Sequence, residues 1–331
     1  MLKLKFSKSE DKTTNQNSKI ARLKEILGTA RVFENKDLFP YLSLRTKTVA
    51  EYYFESKTKE DLQKAIQVSG ELKLPIFILG GGSNIAVTQS KIEGLVIRNL
   101  YTAKEKVKET PTTVDYRVSS GYLTPLLVEE TIEEGLGGLE YQKGLPGTIG
   151  GAIYMNAKWT KPLRYFSDLV VGALLLDRQG NFKEVKKEYF KFDYDYSILH
   201  HTKEILVNVV LRFAKKNPEV LRKRAKEAIQ YRLKTQPTGV ASCGCFFRNI
   251  SVIDKERLNL PTESVGYIID KLNLKGLTIG DFTISNAHGN FIINKSGKES
   301  NPQDLKKLLN IVKQKVKEKY GIELEEEVII V

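Results

Sequence analysis

Apolar residues near the end of the chain recur every three to four positions, which is the spacing of an amphipathic helix. A helix is therefore predicted over 302–320, and Gly321 is predicted to end it. A second helix is predicted to begin at Asn217 and Pro218, because asparagine caps helix N-termini well and proline suits the first turn. The core-facing positions of the 302–320 helix are Leu305, Leu308, Leu309, Val312, Val316 and Tyr320.

Shorter apolar runs, bounded by polar or glycine-rich segments, are typical of strands. The clearest are LVVGALLL at 169–176 and VNVVLRFA at 207–214. At 75–87 the sequence PIFILGGGSNIAV predicts a strand, a glycine turn and a second strand. Because strands and helices are mixed without strict alternation, the sequence predicts an α+β fold and not a doubly wound parallel sheet.

The composition changes at two places along the 331 residues. Residues 1–18 are polar and lack the apolar segment of a secretory signal, so we expect a disordered tail and a cytoplasmic protein. Near residue 215 the chain turns from strand signals to a basic helix. We therefore expect one domain over 19–214 and a second over 215–331.

The formal net charge is +13, which favours an anionic partner. The lysines are scattered along most segments, and no groove-reading or base-stacking motif accompanies them. Nucleic-acid binding is therefore not expected, whereas a site for a phosphorylated small molecule fits the charge. The longest apolar run has only the length of a strand, and a membrane span needs about 18 apolar residues, so no membrane insertion is expected. The sequence leaves the oligomeric state open.

Three glycines follow the first predicted strand directly. They are Gly80, Gly81 and Gly82, with Ser83 and Asn84 next in the chain. Consecutive glycines cost backbone entropy, so a sheet holds them only for a reason. One reason is the close approach of backbone amides to a phosphate group, with Ser83 and Asn84 as further donors. The other is a tight turn without a ligand, since the spacing matches neither GxGxxG nor a P-loop.

A second glycine-rich stretch, GLPGTIGGA, runs from 144 to 152 and leads to Asn156. Its surface carries few side chains, which would let a flat ring system lie against the main chain. Thr148 and Asn156 would then be available to the heteroatoms of the ring. The alternative is close packing between two elements. The glycines of this stretch are Gly144, Gly147, Gly150 and Gly151.

The only two cysteines, Cys243 and Cys245, are one residue apart in SCGCFFRN. Such a short ring does not easily close a disulfide, and a reducing compartment opposes one. A zinc site needs about four ligands, and the three histidines lie elsewhere in the sequence, so no metal is expected. A buried structural thiol is the ordinary alternative. The glycine, aromatic and basic residues around Cys245 favour the wall of a site instead.

The last segment, IELEEEVIIV, predicts a strand whose apolar residues share one face. Glu323, Glu325 and Glu327 share the other face, and Glu326 interrupts the apolar one. Neighbouring glutamates are usually a solvated strand face. Periodicity alone therefore does not single out one of them as a catalytic carboxylate.

Six segments, taken in this order, resemble the UDP-N-acetylenolpyruvoylglucosamine reductase (MurB) family of peptidoglycan synthesis. Each motif is modest alone, and their shared order from about residue 40 to the C-terminus makes the resemblance specific. The absence of an obvious extra substrate-covering loop is similar to the shorter, type II branch. The segments are LGGGSNIAV (79–87), GLEYQKGLPGTIGGAIYMNA (138–157), YRLKTQPTGVASCGCFFRN (231–249), VGYIIDKLNLKG (265–276), SNAHGNFIIN (285–294) and ELEEEV (323–328).

The resemblance implies an FAD-binding region of the PCMH type, similar to vanillyl-alcohol oxidase and built from two subdomains, followed by an α+β substrate-binding domain. It implies that NADPH reduces FAD, and that hydride then passes to C3 of the enolpyruvyl ether of a UDP-linked substrate, giving UDP-N-acetylmuramate. By the same resemblance, the Gly80–Asn84 loop contacts the FAD pyrophosphate. The Gly144–Gly151 stretch and Asn156 would lie along the isoalloxazine.

The resemblance also implies roles for individual residues. The family pattern Gly-Ser-x-Phe-Lys/Arg-Asn has its proton-donating serine where this chain has Cys245, and a thiol is a better acid than an alcohol while still mostly protonated at neutral pH. Glu327 takes the place of the family's catalytic glutamate. Arg232 is implied to contact substrate or nucleotide phosphate, and Asn249 and Asn290 are implied to contact substrate.

One position departs from the family. Where the family has Phe-x-Tyr-Arg-x-Ser, with an arginine that helps to stabilise the developing negative charge, this chain has Asp195. An aspartate facing that charge would be repulsive, by about 1 kcal/mol or more near a protein surface. Either another cation takes the role while Asp195 points away, or Asp195 is paired or protonated; the cations considered are Arg248, Arg232 and Lys234. The alternative function is an FAD-binding protein of this family with lost or altered activity.

Overall fold

The computed structural model describes the chain from residue 8 onward, and its side chains from residue 18. Helices and strands are mixed along the described residues, as the sequence predicts. The helices are α1 (Lys8–Leu27), α2 (Lys59–Glu71), α3 (Thr124–Glu133), α4 (Ile149–Tyr154), α5 (Leu199–Thr202), α6 (Pro218–Thr235), α7 (Val252–Arg257), α8 (Val265–Lys271) and α9 (Pro302–Tyr320). The strands are β1 (Val32–Asp37), β2 (Val49–Ser56), β3 (Ile76–Leu79), β4 (Ile85–Ala86), β5 (Lys91–Asn99), β6 (Lys104–Glu109), β7 (Thr113–Ser119), β8 (Leu136–Gly137), β9 (Lys158–Thr160), β10 (Leu163–Tyr165), β11 (Val170–Leu176), β12 (Phe182–Lys186), β13 (Ile205–Lys215), β14 (Ala241–Cys245), β15 (Thr278–Ile279), β16 (Phe282–Ile284), β17 (Phe291–Asn294) and β18 (Ile329–Ile330).

The first helix occupies most of the segment that the sequence predicts to be a disordered tail over 1–18, because α1 begins at Lys8. The first seven residues of that predicted tail lie outside the described residues. No glycine or proline occurs within α1, so the helix extends backward from its anchored C-terminal half. The residues that anchor this half in a core shared with α2 are Ile20, Leu23 and Leu27.

The first body of the fold is a four-stranded sheet in the order β1-β2-β5-β3, packed against α1 and α2. A capping box holds the start of α2: the Thr58 hydroxyl accepts from the Asp61 amide at 3.1 Å, and the Asp61 carboxylate accepts from the Thr58 amide at 3.2 Å. The predicted strand, glycine turn and strand are confirmed as β3, Gly80–Asn84 and β4. The glycine loop therefore lies at the carboxyl end of a sheet strand.

The second body is a six-stranded sheet in the order β12-β11-β13-β7-β6, with β8 paired to the end of β13. Apolar residues of α3, α4 and α6 pack into one core with this sheet. The short helix α4 begins at Thr148, whose hydroxyl accepts a hydrogen bond from the Gly151 amide at 3.4 Å. The 144–152 stretch is thus a glycine turn that runs into the start of a helix.

The basic helix α6 belongs to the second body by its packing. Two of its apolar residues, Leu221 and Ala225, lie in the core of that body. The packing therefore puts the change of domain after Thr235, later than the predicted boundary between 214 and 215. The sequence suggested the earlier point because the charge changes there, and charge does not report what the apolar face of a helix packs against.

The third body is a four-stranded sheet in the order β14-β17-β16-β15, packed against α8 and α9. The long helix predicted over 302–320 is confirmed: Asn301 caps α9, and Gly321 ends it with a φ of +66°. Its predicted core face is buried in the third body except for Tyr320, which is partly buried against it. Along the part of the chain that the structure describes, no helix combines the length and the apolar character needed to cross a membrane.

The end of the chain crosses from the third body back to the first, where β18 pairs in parallel with β4. The strand predicted over the whole final segment is wrong for 322–328, where a single bridge joins Glu326 to Phe247. The Glu327 amide donates to the Phe246 carbonyl at 2.8 Å. The final segment is thereby held between the glycine loop of the first body and β14 of the third.

Candidate active site

A cavity of about 1360 Å³ is lined by residues of all three bodies. Sites for one small molecule usually have about 300–1,000 Å³, so this cavity has room for a cofactor and a substrate together. Two of its sides differ in composition. The glycine wall consists of Gly80–Asn84 and the 144–151 stretch, and the titratable wall consists of Lys158, Tyr194, Asp195, Cys245 and Glu327.

The two loops of the glycine wall touch through their backbones. A Cβ atom on Gly81 would lie 2.7 Å from the Cα of Gly147, and one on Gly82 would overlap the carbonyl oxygen of Tyr41. Gly82 and Gly147 also have φ angles of +63° and +101°, where a side chain is strained. Close packing, one of the two explanations that the sequence left open, therefore does require glycine at these points.

The same wall also leaves hydrogen-bond donors for an anion. Among the described residues, the backbone amides of Gly81, Gly82 and Ser83 donate to no other main-chain group. Phosphate oxygens bind such amides in glycine-rich loops. Arg232 lies against Gly144 as a largely desolvated cation, and its Nε has no acceptor in the described part of the chain. The glycine wall therefore fits a diphosphate group of the kind that FAD carries.

Most of the residues predicted to bind the cofactor line this cavity. Asn84 also ties the glycine wall to the end of the chain, since its Nδ2 donates to the Glu327 carbonyl at 3.4 Å. Thr148 is both a lining residue and the N-cap of α4. The predicted residues that line the cavity are Gly80, Gly81, Gly82, Ser83, Asn84, Gly144, Gly147, Thr148, Gly150 and Gly151.

Asn156 does not line the cavity, contrary to the expectation from the sequence. Its side chain is 2% exposed. The amide nitrogen donates to the Asp193 carbonyl at 3.0 Å, and Oδ1 accepts from the Ser167 amide at 3.2 Å. Because both ends of the amide are occupied, Asn156 has no free group for a flavin ring. It instead ties the chain after α4 to the loop that carries Asp195.

The titratable wall is assembled from separate segments of the chain. Lys158 begins β9 directly after α4, and Asp195 lies in a tight turn closed by hydrogen bonds between Asp193 and Tyr196. Cys245 ends β14, and Glu327 follows the bridge in the final segment. Only tertiary folding brings these groups together, so no local sequence pattern predicts the wall as a whole.

Cys245 is partly open to the cavity although it lies deep in the protein. Gly244 has a φ of +94°, and a Cβ atom placed on it would meet nothing within 4 Å, so there is space beside the thiol. Burial raises the pKa of the Cys245 thiol well above its usual value, and the charge of Glu327 raises it further. The thiol is therefore protonated at neutral pH, which is the form that donates a proton.

Glu327 is the one of the four final glutamates that lines the cavity. Burial raises the pKa of Glu327 most, and the negative charge of Asp195 raises it next. The pKa is about 8, although Lys158 and Arg248 oppose the shift. The Glu327 carboxyl therefore holds a proton at neutral pH. Glu323 and Glu325 are exposed, and Glu326 pairs with Lys313 at 2.5 Å on α9.

Asp195 is buried and paired, which is one of the alternatives that the sequence left open. Its Oδ1 accepts a hydrogen bond from Lys158 Nζ, and the two side chains are 6% and 13% exposed. The Lys158 ammonium also lies 3.8 Å from the centre of the Tyr194 ring. The sequence indicated no role for Lys158, which lies in none of the matching segments, and none for Tyr194, although Tyr194 is the tyrosine of the motif in which Asp195 departs from the family.

The three cations that could replace the family arginine lie in different surroundings. Arg248 uses Nη2 to donate to the Tyr194 carbonyl at 2.6 Å. Arg232 lies with its guanidinium 4.9 Å from the centre of the Trp159 ring, and burial lowers its pKa. Lys234 is exposed on the outer side of α6. Arg232 is thus the only one of these three that lines the cavity.

The two asparagines expected to contact substrate also differ. Asn249 lines the cavity with an exposed side chain. The Asn290 side chain donates to the Phe247 carbonyl at 2.7 Å and accepts from the Phe247 amide at 3.0 Å, so both ends of its amide are occupied. Asn290 therefore holds the loop after Cys245 in place, and because it also lines the cavity, its contact with substrate stays a prediction.

Comparisons with known proteins agree with this organisation. Residues 50–186 match the family model described as FAD binding domain, and residues 236–331 match the model described as UDP-N-acetylenolpyruvoylglucosamine reductase, C-terminal domain. The reductase of Prochlorococcus marinus is 32% identical over 84% of this chain and 90% of its own length, and that of Protochlamydia amoebophila is 34% identical over 84% and 87%. The crystal structure of the Thermus caldophilus enzyme superposes with a TM-score of 0.72 at 30% identity, covering 90% of this chain and 97% of that one.

An FAD-binding region of two subdomains that shares one cavity with a C-terminal α+β domain defines the protein as an FAD-dependent oxidoreductase. This confirms the fold class predicted from the sequence. The relatives match over nearly the whole of their own length, and the chain belongs to the UDP-N-acetylenolpyruvoylglucosamine reductase family.

Proposed function

We propose that this protein reduces the enolpyruvyl ether of UDP-N-acetylenolpyruvoylglucosamine with NADPH, through FAD, in the synthesis of peptidoglycan precursors. Its relatives carry the name of this reductase. The observation that carries the proposal is that a thiol and a carboxyl, Cys245 and Glu327, face the same cavity as the glycine wall, in surroundings whose burial raises the pKa of both. We place the reaction in the cytoplasm, where the two free cysteines stay reduced.

FAD would be held by the glycine wall. Among the described residues, the amides of Gly81, Gly82 and Ser83 donate to no other main-chain group and suit its pyrophosphate, and the nearly side-chain-free surface at Gly151 leaves room for its ring system. When bound, FAD supplies hydride transfer from NADPH to C3 of the substrate. The protein contributes the remaining steps, which are binding, charge stabilisation and protonation.

Cys245 supplies the proton for C2. After hydride has reached C3, negative charge spreads over C2 and the neighbouring carboxylate. The Sγ–H bond of Cys245 breaks, its proton forms the new C–H bond at C2, and the thiolate left behind regains a proton before the next turnover. Burial keeps this donor in its thiol form at neutral pH, although the same rise in its pKa makes it a weaker acid than an exposed cysteine.

Glu327 stabilises the same charge from another side of the cavity. A protonated carboxyl donates a hydrogen bond to a developing negative oxygen, whereas an ionised one repels it. Since the pKa of Glu327 is raised to about 8, the useful form predominates at neutral pH. Its position beside Cys245 also suits it to return a proton to the thiolate.

Two measurements test this function. The purified protein should be yellow, with flavin absorbance, and it should oxidise NADPH in a manner that depends on UDP-N-acetylenolpyruvoylglucosamine. Asp195 in the place of the family arginine favours a second candidate, an FAD-binding protein with lost or altered activity. That candidate predicts a yellow protein whose NADPH oxidation does not respond to this substrate. A colourless protein that takes up no FAD would contradict both.

A further inference from the structure

Lys158 is a buried cation in the titratable wall that no step described so far uses. It lines the cavity, and its side chain is 13% exposed. Its positive charge acts to lower the pKa of Cys245 and that of Glu327, although burial raises both pKa values overall. Lys158 is therefore close to the two groups that would act on the substrate.

The hydrogen bonds of Lys158 are incomplete. An ammonium group has three donors, and within the described residues Asp195 Oδ1 is its one acceptor. Asp195 is 6% exposed, and its Oδ2 has no hydrogen-bond partner in the part of the chain that the structure describes. Both members of this buried ion pair can therefore form further hydrogen bonds towards the cavity. Such a pair suits a ligand that has both an anionic group and a hydrogen-bond donor.

We propose that Lys158 binds the carboxylate of the enolpyruvyl group and stabilises the negative charge that grows on it, in place of the family arginine that Asp195 replaces. The inference rests on the proposed function and assigns a residue to it. A fixed cation beside the carbon on which negative charge develops stabilises that charge. Asp195 is a positioning residue: it orients the ammonium, and the neutral pair avoids the repulsion that a lone aspartate would exert.

Two other cations, both considered above as replacements for the family arginine, are less suited to this role. Arg248 donates Nη2 to the Tyr194 carbonyl and does not line the cavity. Arg232 lies against Gly144 and the Trp159 ring, in the glycine wall, where a phosphate is the expected anion. Lys158 is the cation that the cavity places beside the thiol and the carboxyl.

The decisive variant replaces both members of the pair, as Lys158→Gln with Asp195→Asn. It removes the cation without leaving a lone buried aspartate, so the net charge is unchanged and the fold is expected to persist. A matched control is Lys161→Gln, because Lys161 is an exposed lysine three residues away that does not line the cavity. Both variants should retain bound FAD, which the flavin absorbance reports.

The measurement is equilibrium binding, followed by the flavin spectrum, of two ligands that differ in one group. UDP-N-acetylmuramate carries the carboxylate, and UDP-N-acetylglucosamine lacks it. The wild-type protein and the control should prefer the first ligand. The double variant should lose about 10- to 100-fold in affinity for the first ligand, the usual worth of a charged hydrogen bond, and bind the second as the wild type does.

Two further variants distinguish a charge effect from a loss of shape. Lys158→Arg should retain most of the preference, because it keeps the charge. Lys158→Gln with Asp195→Arg should restore it, because it returns a cation to the position where the family has one. If the double neutral variant keeps the full preference for UDP-N-acetylmuramate, the role of Lys158 is wrong while the function stands. If the wild-type protein neither prefers that ligand nor turns over the substrate, the proposed function itself is overturned.

Discussion

The two walls of the cavity differ in how they are built. The glycine wall consists of two short continuous loops, and its properties come from the main chain: close contact at Gly81 and Gly147, and amides that donate to no other main-chain group of the described residues. The titratable wall is collected from distant segments, and its properties come from side chains whose protonation is changed by burial. The first wall therefore binds through the shape of its backbone, and the second reacts through its buried titratable side chains.

This difference separates binding from chemistry. A change in the glycine wall should alter how much FAD the protein holds, whereas a change in the titratable wall should leave FAD in place and slow its reoxidation by substrate. Changes at Glu327 and Gly81 test this separation, and a change at Asn156 tests whether its buried hydrogen bonds are structural. They follow in decreasing order of the expected change.

Glu327→Gln should slow reoxidation of the reduced flavin by substrate about 100-fold, within the range for loss of a general acid. Flavin content and reduction by NADPH should be unchanged. In the wild type, the carboxyl loses its proton as the pH rises through its pKa of about 8, so reoxidation should fall above that pH. In the variant this fall should disappear, because an amide does not titrate. Rapid mixing over a series of pH values on both sides of that pKa measures both effects.

The matched control for that experiment is Glu325→Gln, since Glu325 is exposed and lies outside the cavity lining. It should behave as the wild type at every pH. If Glu327→Gln changes only the affinity for FAD and leaves reoxidation intact, Glu327 is a structural residue and the two walls do not divide the work as described.

Asn156→Ala should lower the free energy of unfolding by about 1–3 kcal/mol, the cost of leaving buried hydrogen-bonding groups unpaired. The groups concerned are the Asp193 carbonyl and the Ser167 amide. Chemical denaturation measures this. Asn35→Ala is the control, because Asn35 has a φ of +48°, close to the +47° of Asn156, but is exposed. Equal losses in both variants would mean that backbone conformation, and not the buried bonds, explains the effect.

Gly81→Ala should weaken FAD binding about tenfold, or about 1.4 kcal/mol, because its Cβ would push the two glycine loops apart. Titration of the FAD-free protein with FAD measures the affinity. Gly70→Ala in α2 is the control, since a Cβ there meets nothing within 4 Å. Normal FAD affinity together with slow reoxidation in Gly81→Ala would reverse the roles assigned to the walls.

The sequence predicts well what local patterns determine. The bounds and core face of α9 and the strand–turn–strand around Gly80–Asn84 follow from spacing and from residue preferences over a few neighbouring positions. The glycine wall is predictable for the same reason, because consecutive glycines mark it directly in the sequence.

What the sequence does not predict depends on contacts between distant segments. Lys158 is one lysine among many until the fold brings it to Asp195. Asn156 looks available for a ligand until its partners, Asp193 and Ser167, are known. The sequence also does not predict the helix over part of the expected tail, because the contacts that anchor this helix are with α2.

The family resemblance added what neither local pattern nor charge contained. It separated Cys245 from Cys243 and Glu327 from its neighbouring glutamates. Both cysteines line the cavity, but Cys243 is 2% exposed and packs in the core of the third body, whereas Cys245 is partly exposed. The donation of the proton by Cys245 stays a prediction.

The most direct test of the proton donor is the reoxidation of NADPH-reduced protein by UDP-N-acetylenolpyruvoylglucosamine in Cys245→Ala, followed by flavin absorbance after rapid mixing. We expect normal reduction by NADPH and almost no reoxidation by substrate, with much of the rate retained in Cys245→Ser and all of it in the control Cys243→Ala. Reoxidation of Cys245→Ala at the wild-type rate would contradict the assignment of Cys245 as the proton donor.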